Sequence, residues 1–134
     1  MLTLRHTSDL PKNTPLFIFG SGAAGQHVRK ALGKVPGLTV LGFIDSYKSG
    51  TLDGLPVHRF DEFIDSRPAQ SVVVIASMYV NEMAEQLAGK GMVNVYNGYP
   101  YAMSLIDQAV LIKNLMVVGT VAAVIAVLAG WFLF

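Results

Sequence analysis

Residues 16–25 read LFIFGSGAAG, an apolar run that meets three glycines, Gly20, Gly22 and Gly25, and then a helical pattern. Four large apolar residues in a row suit a strand buried on both faces. Ala24, Val28, Ala31 and Leu32 follow at the spacing of one helix face. A strand, a G-x-G-x-x-G turn and a helix together form the local frame that holds a phosphate at a helix N-terminus. Gly20 allows the tight turn, Gly22 lets the backbone approach a phosphate, and Gly25 lets the helix pack closely on the strand. Ser21, Ala23 and Ala24 complete the loop and carry amides of the first helical turn.

The same alternation continues outward. Residues 38–44 (LTVLGFI) form a second buried strand that ends at Asp45. Residues 46–54 (SYKSGTLDG) have loop composition, and 55–57 allow a short strand. A short helix carries Phe60, Phe63 and Ile64. Residues 71–76 (SVVVIA) form the most strand-like stretch, β-branched and uncharged. Ser77 then stands where an N-cap is expected, before a helix that places Val80, Met83, Ala84 and Leu87 on one face. Residues 92–96 read as a last strand. An amphipathic helix from about residue 101 to 113 follows, with Met103, Ile106, Ala109 and Val110 inward. Alternating strands and helices predict an α/β domain over residues 16–113, with four to five parallel strands covered on both faces. Residues 1–15 are polar, contain two prolines, and read as a partly ordered lead-in.

Residues 115–134 carry no charge. At about 1.5 Å per residue such a helix covers roughly 30 Å, the hydrocarbon thickness of a bilayer. A domain of about 114 residues is too small to surround it, so a transmembrane helix is expected. All Lys and Arg lie before this segment, which predicts an N-terminal domain in the cytoplasm and a single pass through the inner membrane. The end at WFLF fits either a tail-anchored protein or the front part of a longer one. The N-terminus lacks the apolar core of a signal peptide.

Composition narrows the function. The net charge is +1 with 14% charged residues, and no basic stripe suggests nucleic acid. With no cysteine, disulfides, thiolate metal sites and cysteine nucleophiles are excluded. His6, His27 and His58 lack metal-ligand spacing. There is no nucleophile elbow, P-loop lysine or HExxH motif, so the reading leans away from an enzyme. Asp45 lies about 20 residues beyond Gly25, where an acidic side chain accepts ribose hydroxyls and repels a 2′-phosphate. NAD is therefore favoured over NADP. The alternative for Asp45 is a loop aspartate capping Tyr47 or Lys48. Ser77, Met78 and Tyr79 follow a strand end and should line the same crevice, with Tyr79 placed to stack on a base or to cover the sheet edge; Asn97 and Tyr99, ending the last strand, are further candidates.

FIFGSGAAGQHVRKAL, GFID, the Gly54–Val57 G-x-P-V segment and VVIA resemble the CoA-binding-like Rossmann domains of bacterial polysaccharide biosynthesis. Such domains front sugar O-acyltransferases, membrane nucleotide-sugar epimerase/dehydratases and polyprenyl-phosphate sugar-phosphate transferases. GKGMVNVYNGYP is similar to the ending of Rex-type NAD-binding domains. The resemblance implies that Gly20, Gly22, Gly25 and Asp45 contact a nucleotide or a UDP-type nucleotide-sugar. Relatives often carry a second acidic residue after GFID, where this chain has Ser46. Their catalytic parts have no counterpart here. The expected function is a membrane-anchored nucleotide-binding module accessory to surface glycan assembly. The alternatives are the binding half of a nucleotide-sugar enzyme with a catalytic membrane partner, or a ligand-free structural adaptor that dimerises.

Overall fold

A computed structural model describes residues 1–133. The chain runs β1 (Leu2–Thr3), β2 (Leu16–Phe19), α1 (Ala23–Leu32), β3 (Val40–Asp45), β4 (Gly50–Leu52), β5 (Leu55–Arg59), α2 (Phe60–Ser66), β6 (Val72–Ile75), α3 (Val80–Gly89), β7 (Val95–Asn97) and α4 (Tyr99–Leu133). The strands form one sheet of seven, in the order β1-β7-β6-β2-β3-β5-β4. Every neighbouring pair is parallel except β4 with β5.

The central strands are apolar throughout because both of their faces are covered. In β2, Leu16 and Ile18 join a core with Val28 and Leu32 of α1 and Ala102 of α4. Phe17 and Phe19 join a second core with Phe63 of α2 and with Val80 and Leu87 of α3. β6 alternates in the same way, Val72 and Val74 against Val73 and Ile75. In β3 the register slips, since Leu16 pairs with Val40 but Phe17 pairs with Gly42. The extra residue lets Val40 and Phe43 share a core although they stand three apart.

The sheet is wider than the four to five strands expected, because each edge gains one. The 1–15 segment is not a loose lead-in. β1 pairs with β7, the Leu4 amide donates to the Asn97 carbonyl at 2.9 Å, and Leu4 and Leu10 are buried. Proline and polar content hid two isolated leucines that the sheet recruits. Residues 46–54 are likewise not all loop. Asp53 and Gly54, both at positive φ, turn β4 into β5, and an Asp-Gly pair is the usual two-residue hairpin turn.

The last two helices are one. No Gly or Pro separates residue 113 from 115, and Pro100 sits in the first turn, where proline is tolerated. Only the start of α4 packs on the domain, through Tyr101, Ala102, Met103 and Leu105. Ala109 and Val110, expected inward, are exposed. Beyond them α4 is long and apolar enough to cross a membrane, and none of that stretch is buried by the rest of the chain among the described residues.

Candidate ligand crevice

From β2 the chain passes through α1 to β3, and β5 extends the sheet the same way. After α2 it returns to β6 on the other side of β2. Strand addition therefore reverses between β2 and β6. α1 leaves β2 over one face and α3 follows β6 over the other, so the two connections part and leave a crevice at the carboxyl ends of the strands.

The crevice has a volume of about 800 Å³. Gly20, Ser21, Gly22, Ala23, Ala24, Asp45, Ser77 and Tyr79 all line it, so the topology brings together residues scattered over three strand ends. Gly25 is the exception. It is buried behind the loop, where a Cβ would overlap the Gly20 carbonyl oxygen. Gly20 has φ +124°, and a Cβ there would stand 2.5 Å from the Ala76 carbonyl oxygen. Those two glycines are required by the chain's own packing. Gly22 is not, since a Cβ there would meet nothing within 4 Å. It is the N-cap of α1, and no side chain caps that helix. The first-turn amides, with the positive end of the helix dipole, therefore face the crevice uncapped.

Asp45 ties the loops together. Ser21 Oγ donates to Oδ2 at 2.6 Å, and the Tyr47 and Lys48 amides donate to Oδ1 at 2.8 and 2.9 Å. The cap on Tyr47 and Lys48 is thus present, and the same carboxylate also anchors the glycine loop. Partial burial pushes the carboxyl pKa up. The Ser21 hydroxyl, the two amides and the Lys48 ammonium outweigh that and hold it below its ordinary value. The sign follows from the lowered folded pKa. Its stabilisation is complete above the unfolded value of about 4 and is lost as pH falls through the lower folded value. Asp45→Asn is therefore expected to be less stable than the native chain at pH 7, with the gap narrowing below about pH 4. Urea midpoints measured from pH 7 to 2 check this, and a gap independent of pH would contradict it.

Ser77 is not the N-cap of α3. Its Oγ accepts the Tyr79 amide at 3.2 Å, and Tyr79 is the cap residue. This short turn leaves Tyr79 and Met78 exposed at the mouth. Tyr47 faces it from the β3 side and is 88% exposed. Glu82, Met83 and Gln86 of α3, with Met103 and Ile106 of α4, also line the crevice and were not foreseen. Their sequence signal is only helical periodicity, and the fold alone turns one stripe of each helix toward the site. His27 is absent from the lining, and the described residues contain no cluster of metal-ligating side chains. No protein-family model matches the chain, and none of the curated proteins compared with it is detectably similar in sequence.

Proposed function

We propose that this chain is a membrane-anchored binding module with a Rossmann-like domain, which takes a nucleotide-sugar or NAD in the crevice. The observation that carries the reading is Gly22. Two of the three loop glycines are explained by internal contacts, whereas Gly22 borders open crevice beside uncapped helix amides. A phosphate approaching those amides needs that space. Asp45, a carboxylate at neutral pH, is placed to accept sugar hydroxyls with the lone pairs its three internal donors leave free. The resemblance of the glycine loop, GFID and VVIA to polysaccharide-biosynthesis domains supports a role beside glycan assembly at the inner membrane, with the domain in the cytoplasm.

Gly22→Asp tests the site. Aspartate is a better N-cap than glycine by a few tenths of a kcal/mol, so stability should hold or rise slightly. A further negative charge in the crevice, beside Asp45 and Glu82, should abolish binding of a UDP-sugar or NAD, read by titration of detergent-purified protein. A native protein that binds no UDP-sugar, NAD, CoA or adenine nucleotide would end this reading.

Ile125→Arg tests the anchor. An arginine at the middle of a span costs about 2.5–3.5 kcal/mol on insertion. The variant is expected to leave the carbonate-resistant membrane fraction, and full retention would argue against a spanning helix.

A further inference from the structure

One helix joins the crevice directly to the apolar span. Tyr99, Met103 and Ile106 of α4 border the crevice together with Ala23 and Ala24 at the start of α1. α4 therefore stays at the carboxyl ends of the strands over its first two turns, and residues 107–129 are exposed. The helix continues without a break, and Ile106 stands nine residues before Leu115. At about 1.5 Å per residue that is roughly 14 Å of helix. The headgroup layer on one side of the hydrocarbon takes up about 5–8 Å of it. A spanning α4 thus holds the crevice side of the domain, and not the amino ends of its strands, close against the headgroups.

The rim of the crevice has side chains suited to such a surface. Tyr47, Met78 and Tyr79 line the mouth and are all exposed. They come from the loop after β3 and from the β6–α3 turn, so they flank the mouth from two sides. Their bodies are apolar and the tyrosines end in hydroxyls, the combination that favours a membrane–water interface. Charge sets the kind of lipid that is met. Asp45 and Glu82 line the crevice, whereas among the described residues no Lys or Arg does. Lys48, beside Tyr47, is offset by Asp45, which its amide already bonds. Anionic headgroups therefore gain nothing at this face, and the contact it can make is apolar.

We propose that the rim formed by Tyr47, Met78 and Tyr79 rests in the headgroup layer, so that the crevice opens along the membrane surface rather than into bulk solvent. The partner of this face is a zwitterionic lipid surface. The inference rests on the spanning reading of α4 and is independent of what the crevice binds.

Trp131 is the chain's only tryptophan, so emission can report one site at a time. The full chain is placed in nanodiscs of phosphatidylcholine brominated near the headgroup end of one acyl chain. Native Trp131, inside the span, should be quenched. In a Trp131→Phe background, Tyr79→Trp is expected to lose emission to a degree comparable with Trp131, and to gain protection from acrylamide. Val93→Trp is the control, because Val93 is also exposed but precedes β7, at the amino ends of the strands. It should keep its emission in the brominated lipid and stay open to acrylamide. Both replacements fall on exposed side chains, so the fold should hold. Quenching of both sites alike, or of Val93→Trp alone, would overturn the inference. So would an effect that appears only when phosphatidylglycerol is added or that salt abolishes, since the contact would then be electrostatic. Quenched Trp131 with unquenched Tyr79→Trp would remove the inference and leave the anchor standing. Unquenched Trp131 would end the spanning reading and the inference with it.

Discussion

Gly25→Ala is expected to destabilise the domain by about 3 kcal/mol or more, a larger effect than any other single methyl group added to the glycine loop. The new Cβ would overlap the backbone carbonyl oxygen of Gly20, which is not the free end of a flexible side chain. Nor can Gly20 retreat. Its amide donates to the Ile44 carbonyl at 2.8 Å, and the space above its α-carbon is closed by the Ala76 carbonyl oxygen, 2.5 Å from where a Cβ would stand. Relief would require parting α1 from β2, and both contribute to the core on that face through Val28, Leu32 and Ile18. Gly22→Ala is the control. Its Cβ would enter open space, so its cost should stay at or below about 1 kcal/mol, that of exchanging glycine for the poorer N-cap alanine. Chemical denaturation of both variants in one detergent decides the matter. Equal midpoints would mean that the loop is looser than its geometry implies.

Leu4→Ala is expected to cost about 2–5 kcal/mol, although it lies in the stretch that looks least structured in the sequence. Leu4 is 1% exposed and shares a core with Val72, Val74 and Ala102. The cavity left behind would open beneath the edge of β7. That edge matters to the crevice, because Asn97 Oδ1 accepts the Tyr99 amide at 3.1 Å where α4 begins. Leu2→Ala, on an exposed side chain two residues earlier, should change stability by less than about 0.5 kcal/mol. If deleting residues 1–10 left the denaturation midpoint unchanged, the edge strand would contribute nothing to the fold.

Elements whose character is local are legible in the sequence. The apolar runs of β2 and β6, the helical stripes of α1 and α3, and the uncharged C-terminal segment each carry their signal within a few residues. Gly25 belongs with them, since the group it must clear is the Gly20 carbonyl five residues earlier, whereas the group Gly20 must clear is the Ala76 carbonyl just beyond the end of β6. The tertiary structure alone decided what depends on contacts distant in sequence. Leu4 and Leu10 became core residues only when β7 offered them an edge and α4 a cover. The hairpin of β4 and β5 is closed by the local Asp53–Gly54 turn, and only the pairing of β5 with β3 makes it part of the sheet. Met83 and Met103, with Glu82 and Gln86, face the crevice because strand order reverses between β2 and β6 and so parts α1 from α3. Asp45 shows both kinds of determination. Its place at a strand end is legible in GFID, but its bond to Ser21 exists because the sheet sets β2 and β3 side by side and so brings Ser21 Oγ within 2.6 Å of the carboxylate. Hydrophobic periodicity records which face of an element is buried, and not which other element buries it.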